Sequence, residues 1–169
     1  LPMGVDIEAV RSRRSEDIPA PCFHFGTIAR LSKKKGIDLL IRAGMSLSKT
    51  SADVAVGVAG EGEEGATLRA LAKDQSITFV GFVSGPEKWR FFEQTQFMVF
   101  PSVARDGDVE GMPVALLEAL CCGKVVAASA DTNIKLLEEW EAIKGDIMFI
   151  PEPTDIEAFA GAMKEMLAL

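Results

Sequence analysis

Apolar runs of strand length alternate with amphipathic runs of helix length along nearly the whole chain, and this alternation limits the fold more than any other feature. Six runs have the length and composition of strands: CFHFGTI, DVAVGVA, ITFV, FMVF, KVVAAS and DIMFI. Most of them are continuously apolar, as is typical of strands that are buried on both faces. They predict a parallel sheet of about six strands.

Helices are predicted between these strands, near residues 36–48, 65–74, 86–95, 113–122, 132–142 and 155–168. Ser84-Gly-Pro-Glu87 and Thr154-Asp-Ile-Glu157 have the pattern of capping boxes that open two of them. Strict alternation of strand and helix predicts an α/β fold, a Rossmann-like three-layer sandwich with helices on both faces of the sheet. Ligands are then expected beyond the carboxyl ends of the strands.

Composition is that of an ordinary globular domain and argues against several partners. The 169 residues are 48% hydrophobic and 25% charged, which is enough for one substantial core. The net charge of -7 argues against nucleic acid or an anionic membrane as the main partner. Cys22, Cys121 and Cys122 cannot all pair internally, and this favours a reducing, cytoplasmic compartment. No apolar run approaches the ~20 residues that span a bilayer.

Four basic residues lie in the loop after the first strand. Arg30 is followed by Lys33, Lys34 and Lys35, directly before Gly36 and the predicted helix. Cations at a helix N-terminus oppose the macrodipole, so a bound phosphate would resolve the conflict by meeting backbone N–H groups and positive charge together. Arg30 and Lys35 flank the loop and are the predicted ligands, whereas Lys33 and Lys34 are predicted to face water. A solvated basic loop is the alternative.

Two glutamates, Glu110 and Glu118, are eight residues apart and form a second chemical signal. Glu118 is the only charge in the otherwise apolar run from Val114 to Cys122. A buried carboxylate without a partner is costly, so Glu118 is expected either to be paired or to face a polar ligand. Glu110 lies in the loop after the strand FMVF, so the two carboxylates are predicted to meet at one rim of the sheet.

A literal G-x-G-x-x-G lies at residues 60–65, between a predicted strand and a predicted helix. Its three glutamates would crowd a pyrophosphate, and no clear acidic residue closes the next strand, ITFV. A dinucleotide-binding fingerprint is therefore disfavoured. The glycines instead predict a tight turn whose backbone approaches a ligand closely.

Several segments together resemble a known family. GTIARLSKKKGIDLLIRA, VGVAGEGEE, ITFVGFV, FMVFPS and EGMPVALLEALCCGKVV, in this order, are similar to the C-terminal domain of retaining glycosyltransferases of family four (group 1), which have the two-domain GT-B architecture. PSVARDGDVEGMPVALLEAL is most similar to enzymes of bacterial exopolysaccharide assembly. The resemblance implies an interdomain entry segment or linker at residues 1–20, a nucleotide-sugar-binding domain at 21–169 and an N-terminal acceptor domain that is absent from this chain.

The resemblance also implies roles for the charged residues. Arg30 and Lys35 match the pair that holds the donor diphosphate and neutralises the leaving group. Glu118 matches the glutamate that hydrogen-bonds the ribose hydroxyls. Glu110 matches the segment that contacts the transferred sugar and the phosphate, and it is counted with Arg30 and Lys35 as catalytic.

Backbone groups complete the implied donor site. Gly111 and Met112 would offer N–H groups beside the sugar, and Gly81 and Phe82 lie where the family reads the base through its backbone. The other positions implied to contact the donor are Gly60, Gly62 and Pro113. The family usually has a glycine-containing turn followed by Pro-Glu where this chain reads SADTNI at residues 129–134, so no donor contact is assigned there.

The function implied by the resemblance is transfer of a sugar from a nucleoside-diphosphate sugar, linked to UDP or GDP, to an acceptor glycan, a lipid-linked sugar or a small molecule. No metal and no cofactor are implied. The acceptor would bind the absent domain, so the chain alone is expected to be inactive, with the whole enzyme in the cytoplasm at the inner face of the membrane. The alternatives are a non-enzymatic sugar-nucleotide-binding or scaffold module, and another GT-B enzyme such as a sugar-nucleotide epimerase.

Overall fold

Six parallel strands form one sheet at the centre of the computed structural model, which describes residues 22–50, 54–72, 76–105, 107–108, 111–138, 140–150 and 152–169. The bounds of the strands are β1 Phe23–Ile28, β2 Val56–Ala59, β3 Ile77–Gly81, β4 Thr95–Phe100, β5 Val125–Ser129 and β6 Ile147–Ile150. All six predicted strands are confirmed. The predicted segment at residues 1–20 lies outside the described residues.

The strand order is β3-β2-β1-β4-β5-β6. The chain therefore winds in one direction from β1 to β3 and crosses to the other side of β1 to continue with β4. Each neighbouring pair is parallel, as in the register Phe25 with Val56 and Phe25 with Phe97. This order is that of the doubly wound Rossmann-like sheet, in which ligands bind where the winding reverses, beyond the carboxyl ends of the strands.

Helices cover both faces of the sheet. Their bounds are α1 Ile37–Thr50, α2 Gly65–Leu71, α3 Gly85–Glu93, α4 Val114–Cys121, α5 Trp140–Ile143 and α6 Ile156–Met166. Residues of α1, α2 and α6 bury one face, and residues of α3, α4 and α5 pack on the other. The predicted three-layer sandwich is thus confirmed.

Strand β4 shows how the sequence builds two cores at once. Phe97 and Val99 pack in the core beneath α1 and α6, whereas Met98 and Phe100 pack in the core beneath α3 and α4. Successive side chains of a strand point to opposite faces, so a continuously apolar strand is needed wherever both faces are covered.

The predicted helix at residues 132–142 is wrong as a single element. The chain instead forms short 3₁₀ turns at Ala130–Thr132 and Ile134–Leu136, then the one-turn helix α5 and a further 3₁₀ turn at Lys144–Asp146. Asn133 has φ 54°, a left-handed conformation that asparagine tolerates and that interrupts a helix. The apolar residues of this segment recur at every third position, a spacing that suits 3₁₀ turns better than a 3.6-residue helix. They are Ile134, Leu137, Trp140 and Ile143, and all contact the second core.

The two predicted capping boxes differ from the observed helix starts. Ser84 is the N-cap of α3, but its side chain makes no capping hydrogen bond. Helix α6 begins one residue later than predicted, with Asp155 as its N-cap, and this carboxylate accepts hydrogen bonds from the N–H groups of Glu157 and Ala158. A charged N-cap also interacts favourably with the helix dipole, which explains why aspartate caps this helix rather than Thr154.

Candidate functional site

A cavity of about 470 Å³ lies beyond the carboxyl ends of β1, β2 and β3 and beside the start of α4. It is of the size and position expected for a small-molecule ligand in a doubly wound fold. Five predicted site residues line it, from four separate stretches of the sequence: Arg30, Lys35, Gly60, Phe82 and Pro113. The other lining residues are Ile28, Ala29, Glu61, Val83, Val114 and Ala115. The fold therefore collects the basic loop, the glycine turn and the segment before α4 around one space.

The three lysines form a 3₁₀ turn, Lys33–Lys35, that is held in place by its neighbours. Gly36 ends the turn with φ 61°, and a Cβ atom at this position would lie 2.0 Å from the carbonyl oxygen of Pro101. The N–H of Val103 donates a hydrogen bond of 2.9 Å to the carbonyl oxygen of Lys34. The segment after β4 thus fixes the turn, and Lys35 is placed at the cavity wall.

Arg30 lies at the rim of the cavity and is held by a glutamate of the glycine turn. Its Nε is 3.2 Å from Oε2 of Glu63, and its side chain is 74% exposed. A backbone hydrogen bond at Glu63 lowers the pKa of this carboxyl, desolvation works against it, and the charge of Arg30 lowers it further. Exposed ion pairs are weak. An anion in the cavity can therefore compete with Glu63 for the guanidinium.

Lys34 does not simply face water, contrary to the prediction. It is half-buried, and its Nζ lies 2.9 Å from Oδ1 of Asp108. A second ion pair joins the segment after β4 to the first turn of α1, with Nη2 of Arg105 3.0 Å from Oδ2 of Asp38. Lys33 is exposed, as predicted. The sequence separation of 74 residues between Lys34 and Asp108 explains why sequence reasoning missed this pair.

The glycine turn packs against the backbone of the loop after β1. A Cβ atom on Gly60, which has φ 130°, would lie 1.9 Å from the carbonyl oxygen of Ala29. A Cβ atom on Gly62 would lie 2.5 Å from the carbonyl oxygen of Leu31. The Gly60 N–H also donates a 2.7 Å hydrogen bond to the carbonyl oxygen of Gly81. The predicted tight turn is present, and the close backbone approach that it makes is to the protein itself.

The start of α4 forms part of the cavity wall. Pro113 is the N-cap rather than the first helical residue, and Val114 and Ala115 in the first turn line the space. The first N–H groups of a helix have no acceptor within it and carry the positive end of the dipole. Gly111 is exposed and Met112 packs against the second core, and neither lines the cavity. The predicted catalytic residue Glu110 lies outside the described residues.

Glu118 is paired, which was one of its two predicted states. Its Oε1 lies 2.5 Å from Nζ of Lys88, and the two side chains are 13% and 23% exposed. Glu118 follows Ala115 and Val114 by three and four residues, so it shares their face of α4 one turn further from the cavity.

Sequence reasoning missed Lys88, the partner of Glu118. A signal was available, because Lys88 is a cation in the first turn of α3, the same conflict with the dipole that singled out the lysine loop.

The segment at residues 129–134, which departs from the family pattern, forms hydrogen bonds to other parts of the protein. The Ser129 hydroxyl donates to the carbonyl oxygen of Ser102, and Oδ2 of Asp131 accepts a 2.7 Å hydrogen bond from the N–H of Ala104. The Thr132 hydroxyl closes the turn on the carbonyl oxygen of Ser129 at 2.7 Å. This segment therefore anchors the chain that follows β4.

The described part of the chain has neither a metal-binding cluster nor a membrane-spanning helix. Within it, no group of three or more His, Cys, Asp or Glu residues is arranged to hold a metal ion. None of its helices has the length and apolar composition needed to cross a bilayer.

Comparison with known proteins identifies the family. Residues 22–168 match the family described as glycosyl transferases group 1. The amylovoran biosynthesis glycosyltransferase AmsK of Erwinia amylovora is 30% identical over 154 residues, which cover 85% of this chain and 38% of that protein. The putative colanic acid biosynthesis glycosyltransferase WcaL of Escherichia coli is 32% identical over 142 residues, covering 81% of this chain and 35% of that protein. The chain thus spans well under half the length of these relatives.

A solved structure shows the same fold. The C-terminal domain of the group 1 glycosyl transferase LpcC from Francisella tularensis superimposes with a TM-score of 0.73 at 19% identity, covering 98% of this chain and 89% of that domain. At this identity the likeness concerns the fold alone. The family match and the shared fold lead to one conclusion: the chain belongs to the group 1 glycosyl transferase family and has the fold of the C-terminal, Rossmann-like half of the GT-B architecture.

Proposed function

We propose that residues 21–169 are the donor-binding domain of a retaining glycosyltransferase, which moves a sugar from a nucleoside-diphosphate sugar to an acceptor. One observation carries the proposal: the cavity of about 470 Å³ is lined both by Arg30 and Lys35 and by the first turn of α4. Two cations and a helix N-terminus together are suited to a diphosphate. Retention of the anomeric configuration is inferred from the family resemblance.

The chemistry of this site is stabilisation of the leaving group. When the bond between the anomeric carbon and the phosphate oxygen breaks, negative charge grows on the nucleoside diphosphate. Arg30 and Lys35 neutralise that charge, and the N–H groups at the start of α4 add fixed dipoles that need no reorganisation. The acceptor hydroxyl oxygen then forms the new bond to the anomeric carbon, and its proton passes to the departing phosphate oxygen. The domain contributes charge to this step and leaves acceptor binding to other parts of the enzyme.

The donor is proposed to be a UDP- or GDP-sugar. A relative from Corynebacterium glutamicum, 27% identical, is named as a GDP-mannose-dependent mannosyltransferase. A protein from Anabaena with the same fold, HepE, was solved with UDP and glucose. Phe82 at the cavity edge is 68% exposed and offers an aromatic face that accepts either base.

The partner of this domain is proposed to be an N-terminal domain that binds a glycan or a lipid-linked acceptor, with residues 1–20 as the connecting segment. The greater length of AmsK and WcaL supports this division. Their names also support a role in exopolysaccharide assembly. With a lipid-linked acceptor of this kind, the whole enzyme is proposed to act in the cytoplasm, at the inner face of the membrane.

Calorimetric titration of the chain with UDP, GDP, ADP and their common sugar conjugates tests this proposal. One nucleotide is expected to bind selectively, and Arg30→Ala and Lys35→Ala are each expected to weaken binding about tenfold or more, because each removes a charge-assisted contact. Lys33→Ala is the matched control, since Lys33 belongs to the same turn but is exposed and does not line the cavity.

Two outcomes would contradict the proposal. In the first, the wild-type chain binds no nucleotide although circular dichroism shows the native fold. In the second, Lys33→Ala weakens binding as much as Arg30→Ala does, which would show a general effect of charge rather than a diphosphate site.

A second candidate, a non-enzymatic sugar-nucleotide-binding module, is favoured by the segment at residues 129–134. Its polar side chains bind the segment after β4, and the glycine-containing turn of the family is missing. Nucleotide binding without sugar transfer by the full-length protein would support this candidate over the enzyme.

A further inference from the structure

The geometry points to Lys88 as a positioning residue, which holds the Glu118 carboxylate in the orientation that receives the ribose hydroxyls of the nucleotide. This inference rests on the proposed function, in which Glu118 is the ribose ligand. Lys88 lies 30 residues from Glu118 in the sequence and on a different helix. Neither composition nor the family resemblance assigned it a role.

The position of Lys88 in α3 does not serve the helix itself. It lies in the first turn, and its N–H donates to the carbonyl oxygen of Ser84 at 3.4 Å. A positive charge at this end of a helix opposes the macrodipole, whereas Glu87 in the same turn agrees with it. A cation that opposes the helix dipole in this way is expected where a tertiary or functional contact requires it. That contact is with α4.

Two groups fix the ammonium of Lys88. Nζ lies 2.5 Å from Oε1 of Glu118 and 4.8 Å from the centroid of the Trp89 ring, which attracts cations through its π face. The stem of the lysine is largely covered, since only 23% of the side chain is exposed. The ammonium is therefore held in one place and in turn holds one carboxylate oxygen.

The second carboxylate oxygen remains available to a donor. Among the described residues, Lys88 is the one side chain that donates a hydrogen bond to Glu118. An ionised carboxylate accepts about four hydrogen bonds, so Oε2 retains its capacity after Oε1 is engaged. Ribose hydroxyls are donors of the right kind. Val114 and Ala115, one turn earlier on the same face of α4, line the cavity and show that this face is directed to it.

The positive charge of Lys88 also favours binding of an anionic nucleotide. The cavity is proposed to receive an anionic diphosphate, and Glu61 already contributes a carboxylate to its wall. A second unpaired carboxylate would repel the ligand, since like charges in a partly buried site interact strongly. The ammonium of Lys88 offsets the charge of Glu118, so that this residue can accept from the ribose without repelling the phosphates.

The test compares the affinities of a ribonucleotide and of its 2′,3′-dideoxy analogue by calorimetry, with UDP and GDP as the two parent probes. The wild-type chain is expected to prefer the parent about tenfold or more, the effect of hydrogen bonds to a charged acceptor. Lys88→Met, which keeps the apolar stem, is expected to reduce this ratio to about one to threefold. The affinity for the dideoxy analogue falls only through the loss of the charge offset, which acts on both ligands and cancels in the ratio. A purely structural role would weaken both ligands alike and leave the ratio unchanged.

Three further variants sharpen the test. Lys88→Arg keeps a cation on a long stem and is expected to retain most of the preference. Arg90→Met removes an exposed cation from the same helix and is expected to behave as wild type. If Lys88→Met does not fold, Lys88→Gln replaces it, and the same fall in the ratio is expected because its shorter, neutral side chain cannot form the ion pair.

The outcomes separate this inference from the proposed function. If Lys88→Met keeps the full preference, or if Lys88→Arg loses it equally, Lys88 does not position Glu118 through its charge. If the wild-type chain binds both ligands equally, the ribose contact is absent and this inference fails, while the donor-binding function stands. If the wild-type chain binds neither, both fail.

Discussion

Gly60 shapes the cavity wall by packing its backbone against the loop after β1. Its φ of 130° lies in a region that residues with a side chain rarely adopt, and a Cβ atom would meet the Ala29 carbonyl oxygen at 1.9 Å. This contact keeps the glycine turn against the loop that carries Arg30. The residue thus acts on the cavity through packing as well as by lining it.

Gly60→Ala is expected to lower the free energy of unfolding by ~2 kcal/mol or more, because it adds both backbone strain and a steric overlap. Urea denaturation measures this. Gly161→Ala is the matched control, because Gly161 lies inside α6 with open space at its Cβ position. Alanine there is expected to stabilise the chain by about 0.5–1 kcal/mol. Equal effects of the two variants would contradict the packing explanation.

At the scale of single elements, helix α6 depends on a cap at its start and on a buried face along its length. Asp155 supplies the cap, and Phe159 and Met163 are fully buried in the core shared with α1. Such a helix gains most of its stability from tertiary packing, with capping as a smaller contribution. The two contributions can be measured separately.

Asp155→Ala is expected to reduce the free energy of unfolding by ~1 kcal/mol, because the N–H groups of Glu157 and Ala158 lose their acceptor. Ser84→Ala tests the same position in α3, where the side chain makes no capping bond, and is expected to change stability by less than ~0.5 kcal/mol. A larger effect at Ser84 than at Asp155 would show that the observed cap geometry does not govern stability.

Phe159→Ala is expected to cost about 3–5 kcal/mol, since it leaves a cavity between α6, α1 and the sheet. Leu136→Ala is the control, because this leucine is 79% exposed in a 3₁₀ turn and should change stability by less than ~0.5 kcal/mol. Thermal or urea unfolding distinguishes the two. Comparable losses would mean that Leu136 is covered in solution.

At the scale of the whole molecule, the fold brings together the cavity that is proposed to bind the donor, while the acceptor is proposed to bind another domain. The cavity opens at the carboxyl edge of the sheet, and relatives of the chain are more than twice as long. In a two-domain enzyme, closure of one domain on the other completes the catalytic site. These two facts support the proposal that this domain binds the donor and that a second domain binds the acceptor.

The chain alone is therefore expected to bind its nucleotide but to transfer no sugar to an acceptor. The measurement is a transfer assay with the donor identified by calorimetry, run on this chain and on a full-length group 1 protein that contains it. Transfer by the chain alone at the rate of the longer protein would contradict the divided site.

The sequence by itself determined the fold class and the composition of one wall of the site. Strand length and continuous burial are local properties of the pattern, so CFHFGTI or FMVF could be recognised without knowledge of their neighbours. The two cations on the cavity wall, Arg30 and Lys35, could be singled out for the same reason, because the conflict between cations and a helix start lies within one short loop. Their role as diphosphate ligands stays a prediction. Glu118 was recognised as needing a partner, since the apolar run around it is also local.

Tertiary structure decided the pairings and the path of the irregular segments. Lys88 meets Glu118, and Lys34 meets Asp108, across separations of 30 and 74 residues that depend on how α3, α4 and the loop after β4 are arranged on the sheet. The left-handed Asn133 divides a segment between two strands that the sequence predicted as one helix from its length. Gly60 and Gly62 proved to accommodate carbonyl groups of a neighbouring loop. Such contacts join residues that are distant in the chain, so their energies appear only when the whole fold places them together.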